Sequence, residues 1–175
     1  MSNLVKPLIS EEDIGCRISE LADEISDDYE DVIEPVLVLC ILKGAVNFFS
    51  DLVLELRMDV RYEFVGLSSY EGSESTGVIK STTSIPNVIG KHVLIVEDIV
   101  DTGLTLAHLK KELGQQWPTS LKSCALLSKP SRREVEIKVE YVGFEIPDQF
   151  VVGYGLDYDG RYRNLPYIGE IVSEL

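Results

Sequence analysis

The stretch His92-Val-Leu-Ile-Val-Glu-Asp-Ile-Val-Asp-Thr-Gly-Leu-Thr105 joins an apolar run to a run of acidic, hydroxyl and glycine residues. Residues 92–98 have a continuous aliphatic centre, which is typical of a strand buried on both faces of a parallel sheet. Residues 104–115 have the apolar spacing of a helix. The order of strand, polar turn and helix predicts an α/β unit, in which ligands bind beyond the carboxyl end of the strand.

The same alternation continues on both sides of this stretch. The predicted strands of the central sheet are residues 36–42, 60–70, 92–98 and 121–127. The predicted helices are residues 10–30, where Ser10 and Asp13 resemble a capping box, 45–55 and 104–115. Beyond Pro130 shorter strands are predicted over residues 139–144, 150–154 and 167–172, separated by Gly, Pro and Asp. A polar loop is predicted over residues 71–77.

The pattern as a whole predicts one α/β domain over residues 1–175, with a mainly parallel central sheet flanked by helices. Its core would span roughly residues 30–130. The N-terminal segment and roughly residues 131–175 would form a small hood subdomain that covers one end of the sheet.

Composition excludes several classes of protein. The chain has 30 Asp and Glu against 16 Lys and Arg, a net charge of −14, which disfavours nucleic acid and anionic membrane as partners. Its three cysteines lack Cys-x-x-Cys spacing, which argues against a disulfide framework and a zinc site. The longest apolar run, residues 36–42, is too short to span a bilayer, and the N-terminus has no secretory h-region. The cytoplasm is therefore the expected location.

The polar half of the quoted stretch has the chemistry of a phosphate and diol site. Residues 102–105 can turn backbone N–H groups and two hydroxyls toward a phosphate at the positive end of the following helix, and Gly103 permits a close approach. Glu97 and Asp98 can accept hydrogen bonds from vicinal hydroxyls or organise Mg²⁺. Asp and Thr also commonly cap helices. However, three carboxylates within five residues repel one another unless a cation or ligand relieves them, which favours a ribose 5-phosphate site.

Residues 93–105 resemble the phosphoribosyl-pyrophosphate signature of the type I phosphoribosyltransferases. Leu127-Ser-Lys-Pro-Ser131 and Val142-Gly-Phe-Glu-Ile-Pro-Asp-Gln-Phe-Val-Val-Gly-Tyr-Gly-Leu-Asp157 are similar to the 6-oxopurine branch, the hypoxanthine phosphoribosyltransferases. The resemblance covers nearly the whole chain. It implies a Mg²⁺-dependent reaction of phosphoribosyl pyrophosphate with hypoxanthine, and also guanine, to give the nucleotide and pyrophosphate. It also implies a homodimer or homotetramer.

The resemblance implies a role for each matching residue. Glu97 and Asp98 would hold the ribose hydroxyls near Mg²⁺, while Asp101 would face N7 of the purine and manage its proton. The 5-phosphate would bind along Asp101, Thr102, Gly103, Leu104 and Thr105. Pyrophosphate would be contacted by Lys43, Gly44 and Arg163, and the peptide bond between Leu42 and Lys43 would be cis. The purine would be contacted by Lys129 at O6, Phe150 by stacking, Val151 through its backbone, and Asp157. Asp157 would also hold a second Mg²⁺, and Ser69 and Tyr70 would belong to a lid.

Other interpretations stay open from the residues alone. Phe150 could be a core residue, Lys129 a solvated charge, Arg163 a partner of surface acids, and Asp157 a turn former. For the whole chain, the alternatives are an enzyme that prefers xanthine and guanine, and a nucleic-acid-binding regulator built on the same fold. The second alternative calls for a basic face or an added helix-turn-helix, and neither is visible in this acidic sequence.

Overall fold

A computed structural model describes residues 4–69 and 79–172 of the chain. Tyr70 and the loop predicted over residues 71–77 lie outside these described residues. The strands are β1 (Leu4–Ile9), β2 (Val36–Leu42), β3 (Val60–Ser69), β4 (Ile79–Ser81), β5 (His92–Val100), β6 (Ser120–Ser128), β7 (Tyr141–Glu145), β8 (Val151–Val152) and β9 (Ile168–Val172). The helices are α1 (Glu11–Asp28), α2 (Val46–Glu55) and α3 (Leu104–Gly114), and a single 3-10 turn covers Pro130–Arg132.

The main sheet confirms the predicted fold class. In the described residues its strand order is β4-β3-β2-β5-β6-β7, and the neighbours from β3 to β7 are all parallel, whereas β4 is antiparallel to β3. The aliphatic centres of β2 and β5 are fully buried, as expected for strands covered on both faces. Since parallel strands end at the same edge, the residues that follow β2, β5 and β6 meet there.

The second, smaller sheet is antiparallel, in the order β1-β9-β8. Its strands β8 and β9 were predicted, but β1 was not, because Lys6 and Pro7 interrupt its apolar pattern. This sheet forms the hood.

One strand assigned to the hood belongs elsewhere. Residues 139–144 were predicted to lie in the C-terminal hood, but β7 pairs in parallel with β6 at the edge of the main sheet. The break after Pro130 misled the prediction, because the crossover from β6 to β7 contains only the 3-10 turn where a helix is usual. The chain therefore leaves the main sheet only after Glu145.

The helices begin and end within a few residues of their predicted bounds. Ser10 is the N-cap of α1, and its Oγ accepts a hydrogen bond from the backbone N–H of Asp13 at 3.1 Å. The buried face of α1 contacts α2 and packs on the larger of the two core clusters. No helix within residues 4–69 and 79–172 is long and apolar enough to cross a membrane.

Candidate active site

Strand β5 extends two residues further than predicted, to Val100, so Glu97 and Asp98, which were predicted to end the strand, are followed by two more strand residues. Successive side chains of a strand point to opposite faces. Accordingly, Glu97 lines one cavity and Asp98 lines another, and Ile99 and Asp101 line both. We call the first the loop pocket and the second the Lys129 pocket.

The two adjacent carboxyl groups on β5 are hard to ionise. Only 6% of Glu97 is exposed. Burial, and then the charge of Asp98, raises the pKa of Glu97 well above its usual range. Burial also raises the pKa of Asp98, although the positive charge of Arg163 opposes this effect. A neighbouring cation or hydrogen-bond donors from a ligand would favour the ionised pair.

The loop pocket lies where β5 ends and α3 begins, and its volume is about 80 Å³. Gly103 is the N-cap of α3, with φ of +85°, a conformation that favours glycine. Glycine offers no capping side chain, and Thr102 Oγ1 accepts only a long bond of 3.4 Å from Leu104 N–H. Capping of α3 therefore does not explain why acidic and hydroxyl side chains precede this helix. The pocket is lined by Glu97, Ile99, Val100, Asp101, Thr102, Gly103, Thr105 and Leu106.

The Lys129 pocket is larger, about 270 Å³, and opens on the other side of Asp101. Lys129 is only 6% exposed, so the interpretation as a solvated charge is wrong. Its Nζ lies 3.6 Å from Asp101 Oδ2, and Arg132 Nε donates to Asp101 Oδ1 at 3.1 Å. The pocket is lined by Asp98, Ile99, Asp101, Lys129, Phe150, Val151, Leu156 and Asp157.

Phe150 is not a core residue, because 54% of its surface is exposed. Its ring meets Tyr158 edge to face, with 5.6 Å between the ring centroids. Val151 follows in β8, is buried, and pairs with Glu170 of β9. The hood therefore contributes an aromatic ring and a strand edge to the wall of the Lys129 pocket.

The residues predicted to contact pyrophosphate lie beside Asp98. The bond between Leu42 and Lys43 is cis, as the resemblance implied. A Cβ on Gly44 would lie 1.5 Å from Asp98 Oδ2, and a Cβ on Gly155 would lie 2.1 Å from the Gly44 carbonyl oxygen. Only glycine fits at these two contacts, so the turn after β2 is packed tightly between Asp98 and the hood.

Arg163 and Asp157 form an ion pair, with 2.6 Å between Arg163 Nη2 and Asp157 Oδ1. Arg163 also donates to the Gly155 carbonyl. Asp157 Oδ2 accepts from Gly160 N–H at 2.7 Å, so Asp157 does form a turn as well as lining the pocket. The arginine pairs with a predicted site residue rather than with a distant surface acid.

The metal and lid assignments stay predictions. Within residues 4–69 and 79–172, no three His, Cys, Asp or Glu side chains form a group that could hold a metal ion. The predicted metal residues Glu97, Asp98 and Asp157 therefore do not make a metal site by themselves. Ser69 ends β3, but its lid partner Tyr70 is outside the described residues, so the lid stays a prediction.

Several residues that contact the site were not predicted from the sequence. Arg132 bonds the carboxylate of Asp101, and Arg133 bonds the backbone of the same loop. Gly155 and Leu156 were quoted within a motif without a role of their own. Two arginines after a Lys-Pro turn in a chain rich in acids have the pattern of a solvated surface, and only the three-dimensional contacts distinguish them.

The chain is similar over nearly its whole length to known proteins. The phosphoribosyl transferase domain family matches residues 10–159. A hypoxanthine phosphoribosyltransferase of Haemophilus influenzae is 49% identical over 173 residues, 97% of each chain. A hypoxanthine-guanine phosphoribosyltransferase of Mycobacterium avium is 46% identical over 94% of this chain and 84% of that protein. The crystal structure of a hypoxanthine-guanine phosphoribosyltransferase from Bacillus anthracis superposes with a TM-score of 0.90 at 45% identity, covering 97% of this chain and 100% of that one. The chain belongs to the phosphoribosyl transferase domain family.

Proposed function

We propose that the chain transfers the 5-phosphoribosyl group of phosphoribosyl pyrophosphate to hypoxanthine, and also to guanine, in purine salvage. The products are IMP or GMP, together with pyrophosphate. One observation carries the proposal: a small pocket at a helix N-terminus and a larger pocket beside a buried lysine share Asp101 as a common wall. A nucleotide has the same two parts, a phosphate on a ribose and a base, joined through the sugar.

The ribose 5-phosphate is assigned to the loop pocket. Backbone N–H groups at a helix N-terminus and the aligned peptide dipoles attract phosphate. Thr102 and Thr105 add hydroxyl groups at the same place. The carboxylates of Glu97 and Asp98 would accept hydrogen bonds from the ribose hydroxyls, and these donors would relieve the cost of burying two negative charges side by side.

The purine is assigned to the Lys129 pocket, between the ring of Phe150 and the end of β5. The buried ammonium of Lys129 offers donors and no acceptor, which suits the O6 carbonyl of hypoxanthine or guanine. Adenine has an amino group at this position, which would face the ammonium donor to donor. Asp101 lies within reach of the same ammonium and would receive the proton that leaves N7 of the purine.

The pyrophosphate is assigned to the turn at Lys43 and Gly44, with Arg163 opposite. Mg²⁺ is usually bound through one or two carboxylates together with substrate phosphates, so a group of three ligands on the protein is not required. Asp98 and Asp157 line the same pocket and fit such a role, and Glu97 is adjacent. When bound, Mg²⁺ would favour the departure of pyrophosphate by stabilising its negative charge.

Transfer breaks the bond from the anomeric carbon to pyrophosphate and forms a bond to the purine nitrogen. The transition state carries positive charge on the ribose ring, and the carboxylates of β5 favour that charge. The hood and the main sheet contribute alignment of base and ribose, which can lower the barrier by several kcal/mol, up to about 7–11 in well-oriented reactions.

The test is a coupled assay with hypoxanthine, guanine, xanthine and adenine, each with and without Mg²⁺. The proposal predicts turnover of hypoxanthine and guanine that requires Mg²⁺, and negligible turnover of adenine. A kcat/KM that is highest for xanthine would instead indicate the xanthine-guanine enzyme, which the names of the relatives do not favour. Assembly as a homodimer or homotetramer is expected, and sedimentation equilibrium of the purified chain would test it.

A further inference from the structure

We propose that Arg133 is a positioning residue that holds the loop after β5 in a shape able to bind phosphate. The inference rests on the proposed function only in taking the loop pocket as the site of the 5-phosphate. The sequence motifs quoted above do not include this arginine and assign no role to it. Its guanidinium contacts backbone carbonyls and a hydroxyl, not a carboxylate.

The guanidinium joins two strand ends of the main sheet. Its Nη1 donates to the carbonyl oxygens of Val100 and Asp101, and its Nη2 donates to Ser128 Oγ at 2.9 Å. Its aliphatic part lies beneath Gly103, where a Cβ would be 3.4 Å from Arg133 Cδ. One side chain thus connects the end of β5, the first residue of the loop and the end of β6.

The next residue, Glu134, holds the same loop through its backbone. The backbone N–H of Glu134 donates to the carbonyl oxygen of Thr102 at 3.0 Å. Three successive carbonyl groups, those of residues 100, 101 and 102, are therefore held on the side of residues 133–134, and the first of them also accepts from the backbone N–H of Lys129 at 3.0 Å.

This orientation dictates where the loop N–H groups point. In a planar trans peptide the C=O and the following N–H point in opposite directions. Holding the carbonyls of residues 100–102 toward Arg133 and Glu134 turns the N–H groups of residues 101–103 away from them. These three N–H groups have no acceptor among the residues that the structure describes. Buried or half-buried N–H groups normally find one, and a phosphate would supply it.

The charge of Arg133 adds to the effect. Within residues 4–69 and 79–172, no carboxylate oxygen forms an ion pair with Arg133, and the charges of Asp101 and Glu145 act on its guanidinium from further away. Lysine cannot replace it, because a single ammonium cannot reach two carbonyls and a hydroxyl in the fixed geometry of the guanidinium.

Arg17 provides a matched control. It is also half-buried and also donates to two backbone carbonyls, those of Val142 at 2.9 Å and Gly143 at 3.1 Å. These carbonyls belong to β7, and Arg17 lines neither the loop pocket nor the Lys129 pocket. Arg17 also pairs with Glu20 and Glu24, so its substitution disturbs at least as many contacts as that of Arg133. If both arginines acted only through stability, ribose 5-phosphate binding would fall in both variants.

The experiment compares Arg133→Lys, Arg17→Lys and the unsubstituted chain. Calorimetry with ribose 5-phosphate measures the loop pocket directly, and steady-state kinetics separates the KM of phosphoribosyl pyrophosphate from that of hypoxanthine. Arg133→Lys should weaken ribose 5-phosphate binding and raise the phosphoribosyl pyrophosphate KM by about 10- to 100-fold, the range for lost hydrogen bonds to charged groups. The hypoxanthine KM should be unchanged, and Arg17→Lys should bind ribose 5-phosphate like the unsubstituted chain.

Unaltered ribose 5-phosphate binding in Arg133→Lys, or equal losses in both variants, would overturn the inference. So would a rise in the hypoxanthine KM as large as that for phosphoribosyl pyrophosphate. If Arg133→Lys does not fold, Arg133→Ala with added guanidinium ion takes its place: rescue of ribose 5-phosphate binding supports positioning, and no rescue refutes it. The binding assay does not depend on turnover. Hence a chain that binds ribose 5-phosphate but makes no IMP would contradict the proposed function alone.

Discussion

At the scale of single residues, Asp101 is the centre of the account. Its carboxylate forms the wall between the two pockets and meets both Lys129 and Arg132. The sequence motif predicts the importance of Asp101 and Lys129, because they occur in stretches that resemble a known family. It does not predict that Arg132 holds Asp101, since that contact spans 31 residues of chain and depends on the 3-10 turn.

We expect Asp101→Asn to lower kcat by about 10²- to 10⁴-fold, the usual loss for a general acid–base group. The KM of phosphoribosyl pyrophosphate should change little, because the amide keeps the shape of the side chain. Asp148→Asn is the control: Asp148 lies 3.6 Å from the same Arg132 but lines neither pocket. Full activity of Asp101→Asn would remove Asp101 from the mechanism.

Lys129→Gln tests whether Lys129 recognises O6 of the purine. Glutamine can accept as well as donate a hydrogen bond, so the variant should lose hypoxanthine activity and narrow the preference over adenine. A site built to bond one group rejects an analogue without it by as much as about 10⁴-fold. The measurement is kcat/KM for both bases in both proteins, with Lys110→Gln, a lysine paired with Glu140 outside the pockets, as the control. The same ratio before and after substitution would mean that Lys129 does not contact the base.

At the scale of elements, the strands of the main sheet were the most predictable. β2 has the predicted bounds, because its apolar run is uninterrupted and is buried as far as Ile41. The end of β5 was predicted at Asp98, two residues too early, because acidic residues stand on both sides of Ile99 and Val100, which nevertheless continue the ladder with β6. β7 was placed in the wrong sheet because a short edge strand, without a helix before it, carries no sign of the sheet that it joins.

Phe150 tests the contribution of the hood to the site. Stacking of an aromatic ring on a base contributes roughly 1–3 kcal/mol by alanine substitution. Phe150→Leu should therefore raise the KM of hypoxanthine more than that of phosphoribosyl pyrophosphate. Phe144→Leu on β7, outside both pockets, should change stability without changing either KM. If Phe150→Leu only lowers the Tm, the ring serves packing and not the base.

At the scale of the whole molecule, two carboxyl groups lie side by side on β5 in a chain whose net charge is −14. The sequence predicts three acids close together, two of them at the end of a buried strand. It does not predict that Glu97 is itself buried or that Asp98 is half-buried against the turn at Gly44, because these contacts depend on the rest of the fold. Their raised pKa values mean that the folded chain holds protons more tightly than the unfolded chain. The free energy of unfolding therefore falls as pH rises from the unfolded pKa, about 4.3 for Glu, toward the folded pKa.

We expect Glu97→Gln to stabilise the chain at pH 7 in the absence of Mg²⁺ and substrate, while reducing activity. Substitutions that stabilise a protein at the expense of its function commonly raise the free energy of unfolding by about 1–2 kcal/mol. At this chain length such a gain raises Tm by roughly 2–8 °C. Glu140→Gln is the opposite control. Burial alone would raise the pKa of Glu140, but its hydrogen bonds to Lys110 and Ser123 outweigh burial and lower the pKa below its usual value. The ionised carboxylate is therefore stabilised in the fold, and Glu140→Gln should lose stability. The Tm of both variants, measured by calorimetry, tests these two expectations. A Tm of Glu97→Gln below that of the unsubstituted chain would mean that the Glu97 carboxylate is well paired.

In the proposed complex one nucleotide spans both pockets, with Asp101 between its phosphate and its base. A crystal structure of the chain with IMP would show this arrangement or exclude it. We expect the 5-phosphate to accept hydrogen bonds from the loop at residues 102–105, the ribose hydroxyls to face Glu97 and Asp98, and O6 of the base to meet Lys129 Nζ beside the ring of Phe150. IMP bound with its ribose turned away from both carboxylates, or with its base outside the Lys129 pocket, would refute this assignment.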